Sequence, residues 1–424
     1  MADPGGVSTR MGATLKALLP LAGSIGGKGD VAPGEIDLAP GENMMLRSEL
    51  LAMCKEAIDE DMTLDTLSYP KGFAGEPALV EALSSFFNTY FHPSMPLTPE
   101  HIVPTTASGS CLDALAYTIC DVGDSVLVPA PHWWGYGAYF RLHANVNVVP
   151  VHTPKISGSL TTALIPALEA AYASAPDPKR IKALVTSNPN YPFMQCYPPE
   201  VLRGLLDFCQ SHDLHYISDE IFANTVFDKQ ATPFVSALSL LESGLEKEGK
   251  DGLEKCTIDP GQVHVVWSAS KGFGCSGIRM GCVISHNKLV RAGVAFLTIW
   301  QTSSLSTTFL TSLLKSPILP SLLDTSSKRL AASYQIVEDA LKELGLEFLP
   351  ASAGLWVNAK VNGAESSDVV HKLKESGLKV GSGTEFNTVE GEKGWIKLSF
   401  SLPEDVLREG MVRLKACLGP PDTA

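Results

Sequence analysis

The stretch Ser268-Ala269-Ser270-Lys271-Gly272-Phe273-Gly274-Cys275-Ser276-Gly277-Ile278-Arg279-Met280-Gly281 sets one lysine among serines, an arginine and four glycines. It lies between two apolar runs, Val263-His264-Val265-Val266-Trp267 and Cys282-Val283-Ile284, which read as buried strands. A lysine between buried strands needs water or a partner, because burying it unpaired is costly. Two readings are open. Either Lys271 points to solvent from a turn, or it is an amine that joins a carbonyl cofactor covalently. In the second case a phosphate is held nearby by the hydroxyls of Ser268 and Ser270 and the Arg279 guanidinium. The flanking serines, arginine and glycines favour the second.

The surrounding chain supplies elements that can position such chemistry. From Ile102 onward strands and helices alternate: a helix from Thr105-Thr106-Ala107-Ser108-Gly109-Ser110 to Ile119, and strands at 125–129, 146–151, 181–186 and 215–220. An aromatic turn, Pro131-His132-Trp133-Trp134-Gly135-Tyr136, follows the first of these strands, and a helix at 199–211 precedes the last. This alternation predicts a mostly parallel sheet covered on both faces. Asp219 ends the strand His215-Tyr216-Ile217-Ser218-Asp219-Glu220, at the edge where open α/β sheets collect ligands. A helix N-cap or a surface aspartate is its other reading. Ser108 and Ser110 open a helix, where unpaired N–H groups favour an anion; plain N-capping explains them equally.

Residues 1–30 read as a Gly-rich arm, 35–43 as a short strand with a turn, 47–60 as a helix, and 76–90 as a helix with Pro77 near its start. Residues 240–262 are charged and Gly-punctuated, the composition of a solvated loop. A long helical region spans 287–345. Strands near Leu355-Trp356-Val357 and Trp395-Ile396-Lys397-Leu398-Ser399-Phe400 follow, with helices at 366–376 and 403–417, and these form a smaller α+β unit.

At 424 residues and 45% hydrophobic content, the chain can bury one large core or two unequal ones. Its net charge of −13 argues against nucleic acid or an anionic membrane as a partner, since phosphate binding wants clustered Lys and Arg. Nine scattered cysteines without a CxxC pair suggest free thiols in a cytoplasmic setting, and no metal site is expected. No apolar run is long enough to span a bilayer, and the N-terminus lacks a charged-then-apolar leader.

Together these motifs resemble the fold-type-I pyridoxal-phosphate enzymes of the class I/II aminotransferase family, over roughly residues 35–418. The branch they most resemble contains 1-aminocyclopropane-1-carboxylate synthase, because Leu38-Ala39-Pro40-Gly41-Glu42-Asn43 is similar to that branch's Leu-Ala-Glu-Asn signature. The resemblance implies an aspartate-aminotransferase-like fold. Its large domain carries a mostly parallel seven-stranded sheet sandwiched by helices, and a smaller α+β domain is drawn from both chain ends. The expected division is an arm and part of the small domain at 1–60, the cofactor domain at 61–310, and the small domain at 311–424.

The resemblance also implies roles. Lys271 would bind pyridoxal 5'-phosphate and act as the base at the substrate's α-carbon. Asp219 would pair with the pyridine nitrogen and keep the ring protonated, and Trp133, otherwise a core residue, would stack on it. Ser108, Gly109, Ser110, Ser268, Ser270 and Arg279 would cradle the phosphate. Tyr69 would reach the phosphate of a neighbouring subunit, which implies a homodimer with shared sites, unless it is a packed loop tyrosine. Glu42 falls on the substrate side.

Three positions depart from the family. The family loop Asn-Pro-x-Asn-Pro reads Asn188-Pro189-Asn190-Tyr191-Pro192 here, so Tyr191 stands where an asparagine donates to the cofactor's phenolic oxygen. Phe222 stands where a tyrosine is the second donor to that oxygen. Lys397 replaces the arginine that grips the substrate carboxylate with two prongs, and so keeps the charge but loses the fork. Lys397 on an exposed strand face is the alternative.

The expected function is therefore a biosynthetic pyridoxal-phosphate enzyme acting on an amino-acid substrate, with S-adenosylmethionine a candidate. A Cα carbanion would lead to elimination, γ-replacement or cyclisation. Transamination is the alternative, and a non-catalytic cofactor-binding homologue is a third reading.

Overall fold

The computed structural model describes residues 6–19, 33–241, 246–249, 252–255, 258–383 and 393–419. Helix α1 (Thr9–Leu18) starts at Ser8, whose side chain accepts the Met11 N–H. Then come β1 (Ile36–Asp37), α2 (Arg47–Asp61) and α3 (Pro77–Tyr90), the last opening on a proline where a missing N–H costs nothing. The alternating region is β2 (Ile102–Thr105), α4 (Ser108–Ile119), β3 (Ser125–Pro129), α5 (Gly135–Leu142), β4 (Asn147–Val151), α6 (Leu164–Ala173), β5 (Ile181–Ser187), α7 (Pro199–Ser211) and β6 (His215–Asp219).

Within 240–262, expected as a solvated loop, residues 246–249 and 252–255 form an antiparallel pair of β7 (Glu246–Gly249) and β8 (Gly252–Lys255). Charge and glycine report solvation of a segment and leave its backbone pairing open. After β9 (Val263–Ser268), the one-turn helix α8 (Ala269–Gly272) and β10 (Gly281–Ser285), the helical region resolves into α9 (Lys288–Thr298), α10 (Ser304–Lys315) and α11 (Leu319–Glu343). The breaks fall at Trp300, whose φ of 58° is not helical, and at Pro317, which has no N–H to donate. The chain closes with β11 (Glu347–Leu349), β12 (Trp356–Lys360), α12 (Ser366–Glu375), β13 (Leu378–Lys379), β14 (Gly381–Ser382), β15 (Trp395–Ser399) and α13 (Glu404–Leu418).

The large sheet has seven strands in the order β2-β10-β9-β6-β5-β3-β4. Only β10 runs against its neighbours, opposing β2 and β9; the other pairs are parallel. Side-chain alternation feeds two cores. Val126, Val128, Val185 and Val266 pack towards α4, while Leu127, Leu184, Val265 and Trp267 pack towards α3 and α7. The expected helix-covered parallel sheet is therefore observed. Its topology brings the C-terminal ends of β2, β5, β6 and β9 to one edge, together with the start of β10, where Gly281 lies opposite both Thr105 and Ser268.

A second sheet, β11-β12-β15-β14, is antiparallel throughout. The N-terminal segment is built into this unit: β1 pairs with β13, and the Ser399 N–H donates to the Leu38 carbonyl at 2.8 Å. Among the described residues no helix is long and apolar enough to cross a membrane.

Candidate active site

A cavity of about 210 Å³ opens at the shared strand edge, against the small sheet. Lys271 enters it from α8, the single turn set directly on the end of β9. Its Nζ donates to the Gly41 carbonyl at 2.7 Å. Burial and the ammonium of Lys397 hold the Lys271 amine down at about 8, while Glu42 and Asp219 pull the other way. An amine near 8 is partly neutral at physiological pH and can serve as nucleophile or base.

Asp219 ends β6 on the cavity floor and is 2% exposed. Its Oδ2 accepts the Tyr136 hydroxyl at 3.0 Å and its Oδ1 accepts the Ile221 N–H at 3.4 Å. Burial pushes its carboxyl up to about 7, and these two donors and Lys271 oppose that rise. A buried carboxylate this poorly solvated is ready for a cationic partner such as a protonated ring nitrogen.

At the opposite end, Ala107 adopts φ 94°, a conformation costing about 1–3 kcal/mol in a non-glycine residue, immediately before the first turn of α4. Gly281 makes this possible, since a Cβ there would lie 2.9 Å from the Ala107 Cα and 2.7 Å from the Trp267 carbonyl. Ser108, Gly109, Ser270 and Arg279 line this end. Arg279, itself at φ 58°, is aimed by bonds from its guanidinium to the carbonyls of Ser276 (2.8 Å) and Thr106 (3.2 Å). A Cβ on Gly109 would fall 2.6 Å from the Tyr139 hydroxyl, so the cradle is shaped around a glycine. Ser110 bonds Thr106 through its hydroxyl (2.6 Å) and faces an adjoining hollow with Gly109 and Arg279.

An acid below, an amine beside, N–H groups and a guanidinium at one end, and the Trp133 ring on the wall form a donor set that fits pyridoxal phosphate. When bound, that cofactor supplies an electron sink for a carbanion.

The cavity wall next to the small sheet is aromatic. Trp356 meets Tyr191 edge-on at 5.3 Å and Phe222 at 5.4 Å, and all three line the cavity. The Nζ atoms of Lys271 and Lys397 stand 6.0 and 5.5 Å from the Trp356 ring. Lys397 lies opposite Asn358 in the β12–β15 register, and a Cβ on Gly381 would come 2.6 Å from its Cε, so a glycine makes room for its stem. Asn190 turns away and donates to the Tyr197 hydroxyl at 3.0 Å. Asn188 holds the loop by its bonds to Val235 and Tyr197, and Ser268 caps α8; both stand behind the cavity wall.

Glu42 pairs with Arg47 and accepts the Ser276 hydroxyl at 3.1 Å. Tyr69 stands outside this cavity, 77% exposed, against Trp300 at 5.0 Å. Sequence reasoning missed Tyr136, Trp356 and Gly41 as members of the site. Tyr136 lies in the same aromatic turn as Trp133, where its N–H donates to the Trp133 carbonyl at 3.2 Å, so the turn was the only local signal for it; the other two carry none.

The profile described as aminotransferase class I and II matches residues 33–414. A probable aminotransferase of Aspergillus oryzae is 37% identical over 394 residues, covering 91% of each chain. A mouse protein called probable inactive 1-aminocyclopropane-1-carboxylate synthase-like protein 2 is 30% identical over 87% of this chain and 63% of its own length. The fold matches the Thermus thermophilus aspartate aminotransferase with maleate at TM-score 0.76 and 22% identity, covering 97% of this chain and all of that one. With its site geometry and these likenesses, the chain belongs to the class I and II aminotransferase family, whose enzymes depend on pyridoxal phosphate.

Proposed function

We propose that this enzyme removes the α-proton of an amino-acid substrate and then eliminates, replaces or cyclises through the substrate's side chain, S-adenosylmethionine being one candidate. The convergence of Lys271, Asp219 and the phosphate cradle on one cavity carries the α-carbon chemistry. With pyridoxal phosphate bound, Lys271 would take the proton, Asp219 would hold the ring nitrogen charged, and Tyr136 keeps Asp219 in place through its hydroxyl. Lys397 receives the substrate carboxylate as a point charge, against the aromatic wall of Trp356. Phe222 and Tyr191, where the family places two donors to the cofactor's phenolic oxygen, support a reaction other than plain amino transfer.

Transamination is the second reading, favoured by relatives named as aminotransferases. A single-substrate incubation separates the two. An aminotransferase given one amino acid leaves the cofactor in its amine form, with one equivalent of oxo acid. An eliminating or replacing enzyme turns over repeatedly and keeps its original visible absorption. Lys271→Ala should abolish both the covalent cofactor band and turnover; turnover without that band would sink both readings.

We also propose a homodimer. Leu64 (88% exposed), Leu67, Tyr69, Phe73, Phe296 and Trp300 form an uncovered apolar and aromatic face, with Tyr69 against Trp300 and Phe73 against Phe296. A second copy on this face would put Tyr69 at the interface, in line with its expected role, and sedimentation would measure the dimer. The scattered cysteines of the sequence support a cytoplasmic setting.

A further inference from the structure

Residues 41–43 bond the lysine loop at several points. Gly41 accepts the Lys271 amine at 2.7 Å. Asn43 Nδ2 donates to the carbonyls of Lys271 (3.0 Å) and Gly272 (3.3 Å), and Glu42 accepts the Ser276 hydroxyl. Two glycines permit this closeness. A Cβ on Gly41 would meet Trp356 at 2.9 Å and the Lys271 Nζ at 3.3 Å, and one on Gly274 would collide with the Asn43 carbonyl. The same segment is tied to the end of β15, the strand that carries Lys397. The Ser401 hydroxyl donates to the Glu42 carbonyl at 2.7 Å, and the Met44 N–H to the Ser401 carbonyl at 3.0 Å.

We propose that residues 41–43 form a strap whose Gly41 carbonyl is the acceptor for the ammonium of Lys271, making Gly41 a positioning residue for the base. This rests on the α-carbon chemistry proposed above. When Lys271 takes the α-proton, the C–H bond breaks, an N–H bond forms on Nζ, and the electron pair stays on the substrate. The amine becomes an ammonium in a partly buried site that already contains Lys397 and Arg279. Glu42 and Asp219 are the anions facing it, and Glu42 is engaged by Arg47. The Gly41 carbonyl is a fixed dipole at hydrogen-bond distance. It stabilises the charged form at the moment it appears, with no reorganisation. Through Ser401 the strap is also tied to the end of β15, so one segment holds both the lysine loop and the strand that carries Lys397.

The test follows covalent attachment of pyridoxal phosphate to the full-length apoprotein by stopped-flow absorbance across pH. Attachment needs the neutral amine, so its pH midpoint reports the amine's acidity. In Gly41→Ala the new methyl separates carbonyl and amine. The proton affinity should fall about tenfold, moving the midpoint down by about one pH unit. If Gly41→Ala does not fold by circular dichroism, Asn43→Ala, which frees the strap from the loop backbone, decides the matter by the same downward shift. An unchanged or raised midpoint in the folded variant overturns the proposal. Failure of the wild-type Lys271 to attach pyridoxal phosphate at all, read by mass spectrometry after borohydride reduction, would instead overturn the functional reading.

Discussion

Asp219→Asn should make the apoprotein more stable while making it a poor enzyme. The native carboxyl is 2% exposed, and burial displaces it from 3.8 to about 7, roughly 4 kcal/mol against the ionised form. Asparagine keeps the shape and removes the charge. Its amide has one oxygen where the carboxylate has two, so one of the two donors, the Tyr136 hydroxyl or the Ile221 N–H, is left without an acceptor at a cost of about 1–2 kcal/mol. The balance is a gain of about 2 kcal/mol.

The sign depends on pH. Between about 4 and 7 the native state binds more protons at this site than the unfolded chain, so wild-type stability falls as pH rises through that window. The advantage of the asparagine variant is therefore full above pH 7 and absent below pH 4. Urea unfolding of both apoproteins at pH 8 and pH 4 measures it. A variant no more stable than wild type at pH 8, or equally stabilised at both pH values, would refute the reasoning. With cofactor present, the lost charge opposite the ring nitrogen should lower turnover by about 10²-fold or more.

Phe222→Tyr places a hydroxyl on a ring now 6.0 Å from the Lys271 Nζ; the visible absorption of the cofactor-loaded variant should titrate at lower pH than wild type, whose own midpoint should exceed that of ordinary aminotransferases. Lys397→Met removes a cation that depresses the Lys271 amine, so the midpoint for cofactor attachment should rise, and KM for an amino-acid substrate should increase more than kcat falls.

The periodicities that reveal a parallel sheet are short-range, and strands such as β3 and β10 carry unbroken apolar centres, Val126-Leu127-Val128 and Cys282-Val283-Ile284, so the alternation of strand and helix along the chain and the fold class were readable without coordinates. The lysine stretch was readable for a related reason: Ser268, Ser270, Lys271 and Arg279 lie within twelve residues, and the loop's local turns bring all but Ser268 to the cavity wall. The short strands β13 and β14, two residues each, exist only by pairing with partners already placed, and no period can show over so short a run. The β7–β8 pair was hidden for a different reason, since its charged, Gly-punctuated sequence describes solvation and is silent on pairing.

The aromatic wall next to the small sheet was the least legible part of the site. The sequence by itself identified Tyr191, Phe222 and Lys397 as departures from the family, but it could not say which way they face. Tertiary structure decided that Tyr191 turns inward and Asn190 outward, because Asn190 finds a buried partner in Tyr197. It also brought Trp356 of the small sheet between the two lysines, and the Gly41 carbonyl to an amine 230 residues away. Contacts across that separation depend on how the N-terminal segment, the large sheet and the small sheet dock. The residue types fix the cofactor chemistry, and the docking of the two sheets fixes how the lysine is held while it acts.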